Sequence, residues 1–158
     1  MTTDQLAIAA KKFTDAMATG DFERATELTR RLTPLHDRMG LTILRHDPPT
    51  ATVVTMELSD HVRGAQEGSI HGGMLATFAD VTSAFAVNGT YDPEAEIPVT
   101  TDVHVRYYRQ PRSGPITAEA KIVHRGRRLL STECSIIDAE ERNLARSTAT
   151  YMLVPLAK

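Results

Sequence analysis

The chain has 158 residues, 18 basic against 20 acidic side chains for a formal net charge of −2, and a single cysteine. That length suits one domain with a sizeable core. The near-balanced charge excludes a general nucleic-acid or membrane-surface binder, and one thiol excludes an internal disulfide framework. The start, Met1-Thr2-Thr3-Asp4-Gln5, lacks the basic and apolar regions of a secretion signal, so the expected compartment is a reducing cytoplasm.

The first forty residues predict helices. Leu6, Ala9, Phe13 and Met17 recur at helical spacing before Gly20, and Phe22, Ala25, Leu28 and Leu32 repeat the pattern, with Asp21 and Glu23 at the positive helix end. Thr33-Pro34 opens a third short piece that Gly40 closes. Residues 1–40 are thus expected to form a helical extension packed on the main body, 41–158; a partner-binding arm is the other reading. Leu41 to Arg45 reads as a short strand and His46-Asp47-Pro48-Pro49 as a turn. From Thr52 to Leu58 the alternation of Thr52, Val54, Met56 and Leu58 with Val53, Thr55 and Glu57 predicts a half-buried strand. After a polar loop, Ser59 to Ser69, the spacing predicts a helix from about Gly72 to Asn88.

Four strand-like runs follow: Val99 to Tyr108, Ile116 to His124, Leu129 to Ile137 and Leu144 to Val154. Arg125-Gly126-Arg127-Arg128 makes a hairpin turn between the second and third of these runs. Short turns between neighbouring runs imply an antiparallel meander. A helix apolar nearly all round must be covered by that sheet. Its apolar core, Met74 to Val87, is too short to span a bilayer. Cys134, in a strand pattern, reads as a small buried hydrophobe rather than a nucleophile.

Asp80 is the one Asp, Glu, Lys or Arg between His71 and Gly89. A carboxylate on an apolar helix costs several kcal/mol of desolvation unless it has partners or a job. Either it is structural, bonded to hydroxyls such as Thr77, Thr82 or Ser83, or it is a base or nucleophile. Upstream, His71-Gly72-Gly73 opens the helix with small residues whose backbone N–H groups can face an anion. Gly72 N–H is the first candidate oxyanion donor and Gly73 N–H the second. Eight residues of helix span about 12 Å, so one carbonyl carbon cannot touch both Gly72 N–H and Asp80 of the same helix. If both act, they come from two subunits related by a two-fold axis.

The string Gly68-Ser69-Ile70-His71-Gly72-Gly73-Met74-Leu75-Ala76-Thr77-Phe78-Ala79-Asp80 resembles the hotdog-fold acyl-CoA thioesterases, in particular the PaaI-like branch. The strand Val99 to Arg109 and the turn Gly126-Arg127-Arg128-Leu129 are similar to that branch as well. The resemblance spans Leu41 to Val154. It implies an α+β fold in which a curved antiparallel sheet wraps one long helix, with edge-to-edge dimers that often pair into tetramers. It also implies hydrolysis of a coenzyme A thioester, with no cofactor besides the CoA of the substrate. The six histidines, His36, His46, His61, His71, His104 and His124, show no metal-ligand spacing, so no metal site is expected. Asp80 takes the place of the family's acidic residue, and Thr100 that of a Ser or Thr that orients the carboxylate or water; an ordinary β-favouring threonine is the alternative. His71 reads as structural, with ligand contact as its other role.

In place of a common Asn or Gln six residues before the motif histidine stands Ala65, with Gln66 beside it as a substitute donor. Arg127, Arg128 and Arg109 are candidates for the CoA phosphates, against the plain reading of a solvated hairpin tip. Two further functions remain in view: a non-catalytic acyl-CoA binder, favoured by Ala65, and a hotdog hydratase or dehydratase.

Overall fold

The computed structural model describes residues 3–156. Met1, Thr2 and the side chains of Thr3, Asp4 and Leu6 lie outside the described residues. Three helices come first: α1 (Thr3–Thr19), α2 (Phe22–Leu32) and α3 (Pro34–Arg38). Strands β1 (Thr42–Asp47) and β2 (Ala51–Met56) precede the long helix α4 (Gly72–Val87), and β3 (Glu96–Tyr107), β4 (Ile116–Arg125), β5 (Leu129–Ile137) and β6 (Asn143–Pro155) complete the chain. Asp21 caps α2 by accepting from Arg24 N–H, and Gly20 just before it takes the left-handed conformation (φ +74°) that lets the chain turn between α1 and α2.

All pairings are antiparallel, in the order β1-β2-β4-β5-β6-β3. This corrects the simple meander. Strands β4, β5 and β6 do follow one another, but β3 lies beyond β6 and not beside β4. The reason is α4, which carries the chain across the sheet from β2 to the far edge, so that β3 zips along β6 from Glu96↔Pro155 to Tyr107↔Ala145. Long-range pairing of this kind leaves no mark on local turn spacing.

Helix α4 packs on β2, β3, β4, β5 and β6, with Leu75, Phe78, Ala79, Thr82, Ser83, Phe85, Ala86 and Val87 buried against them. It is not covered all round, as its apolarity had suggested. Gly73 is exposed, and Thr77, Asp80, Val81 and Ala84 are half-buried along one face at helical spacing. The N-terminal helices share the same core. Ala16, Met17, Ala25, Leu28 and Met39 join Leu75, Phe78 and the strand residues in one buried cluster.

His36 of α3 lies in that region, bonded through Nδ1 to Thr29 Oγ1 at 2.7 Å and edge-on to Phe85 at 5.8 Å. Burial lowers its pKa from 6.5 to about 4. Between those values the unfolded chain binds more protons than the native one, so the stability is full above about pH 6.5 and is lost as pH falls toward 4. His46, also lowered by burial, acts in the same direction. Urea midpoints should therefore decline from pH 6.5 to pH 4, and His36→Gln should flatten that decline; an equally steep decline in the variant would assign it to other groups.

Candidate active site

The opening of α4 can be read amide by amide. His71 precedes the helix in an extended conformation, and its Nδ1 accepts from Gly73 N–H at 3.0 Å. That acceptor role puts the ring proton on Nε2. The N–H groups of Met74 and Leu75 both reach His71 O, at 2.9 and 3.3 Å. Gly72 N–H alone in this turn finds no acceptor among the described residues. Gly73, the second candidate donor, is therefore corrected: its N–H is committed to the His71 ring. Tyr107 of β3 ties the same turn to the sheet, donating its hydroxyl to Gly72 O at 3.0 Å.

Two turns further on, the Asp80 carboxylate leaves the half-buried face of α4. Its Oδ1 accepts from Thr100 Oγ1 at 3.0 Å and from the Tyr151 hydroxyl at 2.8 Å. Its Oδ2 has no donor among the described residues, and no cation pairs with it. Thr77 and Thr82, suggested as structural partners, instead donate to carbonyls of their own helix, Gly73 O and Phe78 O. The two hydroxyls that hold Asp80 arrive from a single cross-strand row, Leu130–Tyr151–Thr100, which joins β5, β6 and β3. Burial, and then the Asp80 charge, push the Tyr151 phenol well above its ordinary value, so it stays a donor at any working pH.

Arg127 and Arg128 are exposed at the β4–β5 hairpin tip, just beyond that row; Arg128 O accepts from Leu153 N–H at 2.8 Å. Arg109, also exposed, follows the opposite end of β3, nine residues from Thr100 and thus about 30 Å along an extended chain. Gln66 sits exposed with Ala65 in a tight turn closed by Gly64 N–H to Ser69 O and Ser69 N–H to Gln66 O. Neither approaches Asp80 through a hydrogen bond. Two concavities, of about 440 and 280 Å³, lie on the outer face of the sheet and beside the end of α4, and Asp80 lines neither.

A family model described as the thioesterase superfamily matches residues 67–145, from the loop before α4 into β6. The chain belongs to the thioesterase superfamily. Among solved structures, a thioesterase from Haemophilus influenzae is similar with a TM-score of 0.77 at 21% identity, covering 87% of this chain and 92% of that one. The PaaI protein of the phenylacetic acid degradation operon of E. coli gives 0.70 at 21% identity, covering 94% and 96%. These likenesses establish the hotdog fold. A curated relative from Halobacterium salinarum, named "Putative esterase", is 33% identical over 102 residues, 60% of this chain. The match spans 66% of that relative's length, and another such match, to a protein of Saccharolobus solfataricus, spans 56%.

Sequence reasoning missed three residues that hold Asp80 and the opening of α4: Tyr151, Tyr107 and Gln110, whose Oε1 accepts from Ile70 N–H at 2.9 Å just before the motif. The signal for Tyr151 was present. A tyrosine at an inward position of a strand must find an acceptor for its hydroxyl, and the unpaired carboxylate in the chain's apolar helix was the acceptor to match. Cys134 takes no part. It is buried, and desolvation pushes its thiol up to about 12. A thiol reagent should therefore titrate almost no cysteine in the native protein and one equivalent in denaturant; fast native labelling would contradict this packing.

Proposed function

We propose that this chain is an acyl-CoA thioesterase of the PaaI-like branch in which Asp80 is the general base or nucleophile and Gly72 N–H, from the partner subunit, is the oxyanion donor. The observation that carries the reading is the state of the Asp80 carboxylate. One oxygen is fixed by two hydroxyls and the other is left open on the exposed face of a helix whose first N–H is also unclaimed. In the base form of the reaction, Oδ2 takes a proton from water as the water oxygen attacks the thioester carbon. Gly72 N–H stabilises the oxyanion, and the tetrahedral species collapses with departure of the CoA thiolate, which then takes up a proton. In the nucleophile form, Oδ2 itself attacks the thioester carbon and the C–S bond breaks to release the CoA thiolate, which takes up a proton; water then cleaves the resulting acyl-aspartyl anhydride to the free acid and the Asp80 carboxylate.

Gly72 and Asp80 stand about 12 Å apart on one uninterrupted helix, so a complete site needs two chains. The edge for that assembly is β3, twelve residues long with no outer strand neighbour and with Ile97, Val99 and Tyr107 at 37%, 41% and 50% exposure. Antiparallel β3–β3 pairing about a two-fold would bring the Tyr107–Gly72 end of one subunit toward the Thr100–Asp80 end of the other. The same pairing would bring Arg109 of one chain toward Asp80 of its partner, beside the hairpin arginines Arg127 and Arg128, which suit the CoA phosphates. A homodimer is the minimal unit on this reading, with a dimer of dimers beyond it. Residues 41–158 form the thioesterase domain and 1–40 its helical extension. CoA enters as part of the substrate and no cofactor is invoked; the buried single thiol fits a cytoplasmic setting.

Two tests address this reading. Asp80→Asn should lower release of free CoA by at least about 100-fold across short, long and aryl acyl-CoAs while the circular dichroism spectrum is retained. Tight CoA binding with no thiol release from any substrate by the native protein would favour the non-catalytic binder that Ala65 and the exposed Gln66 allow. The second test uses Gly72→Pro, which deletes the one free N–H. Proline is tolerated at the first helical position, His71 already has the extended conformation that must precede it (ψ 129°), and an added Cβ meets only the Tyr107 ring at 3.8 Å. It should fold and be inactive. Mixed and reassembled with Asp80→Asn, it should regain about a quarter of native activity, because half the dimers are hybrids with one intact site each. No recovery in confirmed hybrids would refute the shared site.

A further inference from the structure

We infer that Tyr151 is a positioning residue for hydrolysis: its hydroxyl, with that of Thr100, locks Asp80 Oδ1 so that Oδ2 is the oxygen presented to the reacting centre. The inference rests on the thioesterase reading above and adds a residue that neither the motif nor the family match assigns.

Tyr151 is 1% exposed, at an inward position of β6 directly opposite Thr100 on β3. Its hydroxyl lies 2.8 Å from both Asp80 Oδ1 and Asp80 O. The backbone carbonyl does not require it. Asp80 lies mid-helix, where residue 84 already supplies the helical bond. The nearest inward neighbours along β6 are Ala149 and Leu153, with Ser147 and Ala145 beyond, so a phenylalanine ring would fill the same space without burying an oxygen. What the hydroxyl adds is a fixed donor to one carboxylate oxygen. Thr100 approaches the same oxygen from the neighbouring strand, so both donors converge on Oδ1 and neither on Oδ2. Ser83, one helical turn after Asp80, is buried beside the phenol and closes the pocket around the hydroxyl. A carboxylate whose two oxygens could exchange roles would present its reactive lone pair in the productive direction only part of the time. With one oxygen doubly held, the orientation is set before substrate arrives.

The test is steady-state hydrolysis of an acyl-CoA by Tyr151→Phe, alone and with Asp80→Asn. Tyr151→Phe should lower kcat about tenfold, the loss of one hydrogen bond to a charged group, and leave KM within about twofold, with the thermal midpoint lowered by a few degrees and the fold retained. In the Asp80→Asn background it should bring no further loss, because the group it positions is gone. Tyr151→Met, which also removes the donor, is the second variant and carries the same expectation should the phenylalanine protein fold poorly. Unchanged kcat, a rise confined to KM, or an equal additional loss without the Asp80 carboxylate would each overturn the inference. If Asp80→Asn itself hydrolyses at the native rate, the thioesterase reading fails and this inference fails with it. If Asp80→Asn is inactive while Tyr151→Phe is fully active, the catalytic reading stands and Tyr151 is structural.

Discussion

The structure turns on how it accommodates one charge. Asp80 is carried on a helix with no other ionised side chain, packed on five strands. Removing such a carboxylate from water costs several kcal/mol. An arginine or lysine partner would offset that cost and also neutralise the group. Instead two neutral hydroxyls approach one oxygen, from Thr100 on β3 and Tyr151 on β6. Hydrogen bonds to an ionised acceptor contribute about 1.5–3 kcal/mol each, enough to hold the charge without cancelling it. Oδ2 is left without a donor among the described residues, on the face of α4 that the sheet leaves open.

That solution depends on the topology. Thr100 and Tyr151 face each other only because β3 pairs with β6, with a register shift between Thr100 and Asp102. Upstream of the shift Thr100 points to the helix; downstream Val103, opposite Ala149, and Tyr107, opposite Ala145, do the same, and Tyr107 reaches Gly72 O. One strand therefore anchors both ends of the proposed chemistry, the carboxylate and the helix opening. A bulge is the usual device for re-aiming a side chain at a site. Without it, either Thr100 or Tyr107 would face the outer surface of the sheet.

The sequence was most legible where the physics is local. Alternation and turn residues placed β5 at Leu129–Ile137, and the glycine pair and Asn88 bounded α4 within a residue of Gly72–Val87. Asp80 stood out because a charge in an apolar run is conspicuous without any structure. Three things were not legible. The position of β3 at the far edge is a pairing between residues about fifty apart, such as Thr100↔Tyr151, and no local signal records it. The fate of Gly73 N–H depended on a histidine ring turning back on the next amide but one, a rotamer choice and not a pattern. The open face of α4 depended on where the sheet ends, since composition reports how apolar a helix is and not how much of it is covered.

The N-terminal helices bear on the same site from the opposite edge of the sheet. A six-stranded open sheet has two edges, and each presents unpaired N–H and C=O groups. At β1, helix α2 closes the edge: Thr26 Oγ1 accepts from Ile43 N–H at 2.9 Å, and Arg30 donates to Leu41 O at 2.7 Å and to Thr42 Oγ1 at 3.0 Å. Leu28 and Met39 fill the space beneath. No such cover lies on β3 among the described residues. The extension therefore does more than add mass to the core. By engaging the β1 edge it leaves β3 as the sheet edge without such cover among the described residues, on the side of the molecule where Thr100 and Tyr107 lie and where the proposed dimer would form.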